Sequence, residues 1–171
     1  DLSKNESIAN YFYGKKFDII INCAAYTAVD KAEEEVELAN QINHLAVRQL
    51  VQIAKKQRAK LIHISTDYVF DGESDKPYKE SDSVNPINAY GRSKLAGEQS
   101  IFKEMKKNAI IIRTSWLYSE FGNNFVDTML RLGSERDELS VVNNQIGSPT
   151  YSTDLAGVII SIIQSKNFFN S

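Results

Sequence analysis

Three side chains of this chain could together move a proton at a carbonyl oxygen: Thr66, Tyr90 and Lys94. Tyr90 and Lys94 are four residues apart, which on a helix puts them on one face, a single turn apart. An unperturbed phenol has a pKa of about 10, and a cation beside it favours the phenolate and lowers that value. Thr66 adds a hydroxyl at the end of the preceding apolar run. The chemistry this suits is reduction or oxidation of a carbonyl beside a nicotinamide. Plainer readings stand next to it: Tyr90 and Lys94 as a solvated helix pair, and Thr66 as the cap of a strand end.

The elements that must position these groups follow from periodicity. Residues 3–13 read as a short helix, with Ser3 as N-cap and Gly14 as its stop. Residues 18–23 are a nearly continuous apolar run, the pattern of a strand buried on both faces. Residues 33–58 have helical spacing, with Leu38, Ile42, Leu45, Leu50, Val51 and Ala54 on the apolar face. Residues 60–64 are a second strand, 73–86 a polar loop, 87–106 a helix and 109–113 a third strand. Beyond them come a helix at 124–132, a short strand at 139–142, a loop at 143–151 and a helix at 153–164 capped by Ser152 or Thr153. Strands alternating with helices predict an α/β fold with a parallel sheet and helices on both faces. Ala24-Ala25-Tyr26, Thr66-Asp67-Tyr68 and Ser115-Trp116 each lie just past a strand's C-terminal end, where open α/β sheets bind ligands. Asp67 also reads as a turn former, and Trp116 as core packing. Asn123 and Asn124 either line the same side or cap the helix that follows.

Composition narrows the function. The 171 residues carry 20 basic and 22 acidic side chains and a net charge of -2, with no basic stripe, so neither a nucleic acid nor a membrane is an expected partner. No apolar run has the length of a membrane span, and the first residues do not read as a signal peptide. The one cysteine, Cys23, sits in an apolar run and reads as a buried thiol in a reducing, cytoplasmic setting. His44 and His63 lack metal-ligand spacing, so no metal site is expected from them; His63 reads as a strand residue with a satisfied hydrogen bond. No three of the eight glycines form the GxGxxG turn that grips a pyrophosphate. Either the protein does not bind a dinucleotide, or the chain is a fragment lacking its beginning; a start without methionine favours the fragment, and the equally abrupt end makes a missing C-terminal part the expectation.

Several stretches together carry a resemblance. They are residues 22–33 (Asn22-Cys23-Ala24-Ala25-Tyr26-Thr27-Ala28-Val29-Asp30), 65–72 (Ser65-Thr66-Asp67-Tyr68), 90–98 (Tyr90-Gly91-Arg92-Ser93-Lys94 to Glu98), 113–118, 122–125 and 147–150. On these the chain resembles the extended short-chain dehydrogenase/reductases, in particular their branch that reduces the C4 keto group of a dTDP-bound 4-keto-6-deoxy sugar. The resemblance implies a Rossmann-like fold, with residues 1–142 as the NAD(P)-binding domain and 143–171 as the start of a substrate-binding region. It implies that Tyr90 protonates the substrate oxygen, Lys94 holds the nicotinamide ribose and Thr66 hydrogen-bonds the reacting oxygen. Asp1, Leu2, Ala24, Ala25, Tyr26 and Asn43 would then serve NADPH or NADH, together with Tyr90 and Lys94. Thr66, Asp67, Tyr68 and Trp116 would meet the sugar nucleotide. A homodimer, with Mg2+ at its interface, is a further implication. Dehydratases of the family carry a glutamate after the Thr-Asp pair; here Tyr68 follows, which favours simple reduction. Reduction of another 4-keto sugar nucleotide, or a non-catalytic regulatory subunit of the same fold, are the alternatives.

Overall fold

The computed structural model describes residues 1–165 and 168. The chain divides into two compact units, Asp1–Arg113 and Thr114–Ser171. The first holds α1 (Asn5–Phe12), β1 (Ile19–Asn22), α2 (Val36–Asn40), α3 (Ala46–Gln57), β2 (Lys60–Thr66), α4 (Ala89–Met105) and β3 (Ala109–Thr114), whose last residue crosses the boundary. The three strands form one sheet in the order β1-β2-β3, with β2 in the centre. β1 and β2 are parallel, pairing Ile19 with Lys60 through Asn22 with His63. The principal core lies between α3, α4 and this sheet. Val47 and Val51 of α3, Leu61 of β2 and Ile101 and Met105 of α4 are buried there, and each such aliphatic side chain stabilises by about 1.5–3 kcal/mol.

The expected helix at 33–58 is divided. Lys31–Glu33 form a tight 3-10 turn, α2 follows, and Gln41–Leu45 widen into a π turn before α3 begins. A π turn inserts an extra residue, so the buried stripe rotates. The buried residues become Ala39, Asn43, Ala46, Val47, Leu50, Val51 and Ala54, while Leu38 is 38 % exposed. α1 starts later than its sequence pattern suggests. Lys4 occupies the cap position, because the Ser3 hydroxyl is spent on the Asp1 carboxylate at 2.7 Å. β1 is covered on one face only: Ile20 and Asn22 are buried, but Ile21 is 45 % exposed. Cys23, two residues on from Ile21, is likewise exposed rather than buried. β2 runs two residues past its expected end, which makes Thr66 the last strand residue and not a loop residue.

The second unit holds β4 (Leu117–Tyr118), α5 (Phe125–Glu135), β5 (Thr150–Tyr151) and α6 (Ser152–Gln164). β4 and β5 pair in parallel. Asn124 caps α5, its Oδ1 accepting from the Asp127 amide at 3.0 Å. Tyr151, not Ser152 or Thr153, stands at the cap of α6. Residues 139–142 form no strand. Val141 and Val142 are 51 % and 66 % exposed, and a β-branched run without a partner strand has no ladder to hold it.

Candidate active site

α4 carries the centre of the site on its inner face. Asn88 starts it, its side chain accepting from the Gly91 amide at 2.7 Å. The Glu33 carboxylate, from the 3-10 turn, accepts from the Ala89 amide at 2.6 Å. A carboxylate at that end also suits the helix dipole. Two glycines set how close the helix comes. A Cβ on Gly91 would lie 2.2 Å from the Tyr68 carbonyl oxygen, and one on Gly97 would lie 2.3 Å from that of Asn43. α4 therefore rests directly on main chain at two points, one just past β2 and one in the π turn. That contact puts Tyr90 and Lys94, 8 % and 2 % exposed, against the end of β2 where Thr66 sits.

Within this cluster the Thr66 hydroxyl lies near enough to the Tyr90 phenol to act on its pKa. Thr66 also donates to Asp67 Oδ1 at 3.1 Å and accepts from the Tyr68 amide at 3.2 Å. Lys94 Nζ donates to the Ile64 carbonyl at 2.7 Å. Tyr68 packs edge-on against Tyr90, with centroids 5.6 Å apart, and Tyr26 borders the same cluster. The Tyr90 pKa is raised, against the sequence expectation. Burial outweighs the lowering by the Thr66 hydroxyl, and the Asp67 charge adds to the rise. The ammonium of Lys94 is engaged with a backbone oxygen and does not reverse this. Lys94 itself is pulled down to about 8 by burial, while Glu98 works in the opposite direction.

Asn43 fixes the strand-end loop that follows β1. Its Oδ1 accepts from the Tyr26 amide at 2.9 Å, and its Nδ2 donates to the Tyr26 carbonyl at 3.0 Å and to Ser93 Oγ at 3.0 Å. One buried amide thus ties residue 26 to α4 one position before Lys94. The Tyr26 phenol donates to Glu35 at 2.6 Å, which pushes its pKa up to about 12. The side chains of Ala24 and Ala25 are small, so a ligand can approach the main chain there. Asn22 and His63 link β1 to β2. Asn22 Oδ1 accepts from the Ala24 amide at 3.3 Å, so its Nδ2 donates to His63 Nδ1 at 3.0 Å. The imidazole proton is then on Nε2, which is buried without a hydrogen-bond partner among the described residues. His63 is thus only half satisfied. Burial, and secondarily the Lys94 charge, lower its pKa to about 3.

That value has a consequence for stability. Above the unfolded value of 6.5 the imidazole is neutral in both states. Below it the unfolded chain takes up a proton that the folded chain refuses, so stability is lost as pH falls towards about 3. The expected loss between pH ~6.5 and pH ~4.5 is on the order of 2 kcal/mol. His63→Gln should remove most of it, read as urea midpoints at the two pH values. An equal fall in wild type and variant would acquit His63.

Asp67 and Tyr68 form the 3-10 turn Asp67–Val69 directly after β2. Asp1 is exposed, its carboxylate accepting from the Ser3 amide at 2.9 Å, and Leu2 packs on Ile8, Ala46 and Leu50. Trp116 belongs to the second unit. It has φ of +47°, a left-handed conformation unusual for a tryptophan. Its indole lies against Gly147, where a Cβ would approach to 2.9 Å, and near Phe125 at 6.5 Å between centroids. No group of three or more His, Cys, Asp and Glu suited to a metal ion occurs among the described residues. Nor is any described helix long and apolar enough to cross a membrane. Nothing in the sequence marks the partners of Glu33, Glu35 and Asn22, which lie 9 to 56 residues away. Glu98 and Arg113 stand in the sequence only as parts of motifs; Glu98, one helical turn beyond Lys94, had a readable signal in its spacing.

A parallel sheet whose central strand ends in a threonine, beside a helix bearing Tyr-x-x-x-Lys, defines a protein of the short-chain dehydrogenase/reductase type with a Rossmann-like α/β fold. Within that type, the chain belongs to the RmlD substrate binding domain family, whose sequence profile matches residues 1–169. It is 48% identical over 156 residues to dTDP-4-dehydrorhamnose reductase of Escherichia coli, covering 91% of this chain and 52% of that protein. It is 45% identical over 164 residues to the enzyme of the same name from Aggregatibacter actinomycetemcomitans, covering 96% and 55%. The crystal structure of dTDP-4-dehydrorhamnose reductase from Bacillus anthracis in complex with NADP is similar at a TM-score of 0.91 and 47% identity, over 96% of this chain and 58% of that one. The chain thus spans about half the length of the curated relatives it matches.

Proposed function

We propose that the protein to which this chain belongs is a cytoplasmic, NADPH-dependent reductase of the C4 keto group of dTDP-4-dehydrorhamnose, yielding dTDP-L-rhamnose for polysaccharide synthesis. The observation that carries this is the buried cluster of Thr66, Tyr90 and Lys94 at the end of β2, with Lys94 Nζ donating to the Ile64 carbonyl. The names of the relatives and the NADP in the Bacillus anthracis structure support the substrate and the cofactor. Residues 1–142 serve the cofactor in this reading, and 143–171 begin the part that meets the sugar.

The residues present fit such a cofactor. Ala24 and Ala25 leave the main chain open beside Tyr26, whose own amide and carbonyl are already held by Asn43. Lys94 supplies an ammonium on the same side of α4 as Tyr90. Ala24, Ala25, Tyr26, Asn43 and Lys94 are assigned to holding or framing the cofactor, with Asp1 and Leu2 towards its adenine end. When bound, the reduced nicotinamide supplies hydride to the carbonyl carbon. The Tyr90 phenol donates its proton to the carbonyl oxygen, and the Thr66 hydroxyl orients that oxygen. A raised phenol pKa keeps the proton on Tyr90 until the oxygen becomes basic enough to take it. Asp67, Tyr68 and Trp116 are assigned to the sugar nucleotide, and the assembly to a homodimer.

The test is consumption of NADPH, followed at its absorbance, by the full-length protein given dTDP-4-dehydrorhamnose. Turnover that yields dTDP-L-rhamnose is the expected result. Turnover giving another 4-epimer would move the protein to a sister reductase. Cofactor binding without any turnover would make it a non-catalytic subunit.

A further inference from the structure

We propose that Glu98 is a positioning residue for Lys94. Paired with Arg113, it is the buried anion that keeps the lysine an ammonium at the end of β2. The inference rests on the reductase reading for its role in turnover, but its physical content does not depend on that reading.

Glu98 is fully buried, one helical turn beyond Lys94 on the inner face of α4. Both of its oxygens are taken by Arg113 of β3: Nε donates to Oε1 at 3.0 Å and Nη2 to Oε2 at 2.6 Å. Arg113 in turn lies over the Phe70 ring at 5.0 Å. Phe70 stacks on Tyr78 at 4.3 Å, and the Tyr78 phenol donates to Asp71 at 2.7 Å. Both carboxylate oxygens are therefore held by a strand outside its own helix.

Three charges meet here: two cations and one anion. The other groups facing Lys94 bring no second anion. His63 on β2 is neutral above about pH 3. Tyr90 on α4 keeps its proton, since its pKa is raised. The π turn packed on α4 presents the uncharged Asn43, and its His44 is occupied with Asn40 at 3.0 Å. Asp67 bears on Tyr90 and Tyr68, whereas Glu98 is the carboxylate that acts on Lys94. An isolated ammonium at this depth would give up its proton. A guanidinium cannot do so, so if the anion is lost, Lys94 is the member that must neutralise.

This fixes opposite signs for two substitutions. Glu98→Gln leaves two buried cations together, and the Lys94 pKa falls. Arg113→Met leaves Glu98 facing Lys94 alone, and the Lys94 pKa rises. The measurement is an NMR titration of the full-length protein carrying 13Cε-labelled lysine, with the Lys94 signal assigned by its loss in Lys94→Met. Displacements of about one pH unit in these opposite directions are expected. The alkaline limb of kcat/KM against pH should follow in the same directions. Damage to packing alone would lower activity in both variants without moving their limbs apart. Circular dichroism melts establish that each variant is folded; where Glu98→Gln is not, the upward shift in Arg113→Met still decides. An unchanged Lys94 titration in the folded variants overturns the proposal. Titrations that shift as stated in a protein without reductase turnover would uphold it and overturn the reductase reading instead.

Discussion

Tyr90→Phe in the full-length protein should lower kcat by about a hundred- to ten-thousand-fold, the usual worth of a positioned proton donor. KM should change little, because the ring and its packing against Tyr68 at 5.6 Å are retained. The fold should tolerate the change as well. Loss of one polar partner at the phenol costs about 1 kcal/mol, and Thr66 keeps Asp67 and the Tyr68 amide as partners. Steady-state NADPH consumption together with a thermal melt checks both halves. Turnover of the variant within a few-fold of wild type would remove Tyr90 as the donor and leave Thr66 to be tested. With a raised phenol pKa, activity should also persist through neutral pH. It should fail first on the alkaline side as Lys94, at about 8, loses its charge.

Gly97→Ala is expected to be the most damaging small substitution in the fold. Alanine at a helix interior position gains about 1 kcal/mol of helix propensity over glycine. Here the added Cβ would stand 2.3 Å from the Asn43 carbonyl oxygen. That oxygen cannot swing aside like a flexible side-chain end, because it is main chain and the Asn43 side chain is bonded to Tyr26 and Ser93. Overpacking of this kind costs about 1–3 kcal/mol, occasionally more, so the clash should outweigh the propensity. With a main-chain clash this close the cost belongs at the upper end of that range, for a net loss of up to about 2 kcal/mol, with α4 pushed off the π turn. Because Asn43 also holds the Tyr26 loop, cofactor affinity should fall alongside stability. Gly133→Ala in α5 and Gly157→Ala in α6 are the controls. Nothing lies within 4 Å of a Cβ at either position, and there propensity alone should stabilise by up to about 1 kcal/mol. Equal denaturant midpoints for Gly97→Ala and wild type would show that α4 has room to move.

The difference between these glycines is not visible in the chain as written. Gly97 and Gly157 both interrupt helical patterns, and only the approach of a distant backbone separates them. The same holds for the π turn. Residues 33–58 have one helical period to the eye, yet the extra residue at 41–45 turns Asn43 inward and Leu38 outward. In the first unit strand and helix order were legible because burial imposes periods of 2 and 3.6 on apolar residues, whereas the two-residue strands β4 and β5 are too short to show a period. Tyr90 and Lys94 were legible because their spacing lies within one helix turn. Val141 and Val142 misled because β propensity says nothing about whether a partner strand exists. Cys23 misled because β1 is covered on one face and not two.

By itself, then, the sequence determined the alternation of strands and helices in the first unit, the facing of Tyr90 and Lys94, and the placement of Thr66 at a strand end. These are short-range matters, set by the local geometry of the chain. Tertiary structure alone decided the electrostatics: that Tyr90 is held protonated by burial, that Lys94 reaches the Ile64 carbonyl, and that Glu98 meets Arg113 behind it. Charge, depth and partner depend on which distant residues share a low-dielectric interior, and spacing along the chain does not encode that.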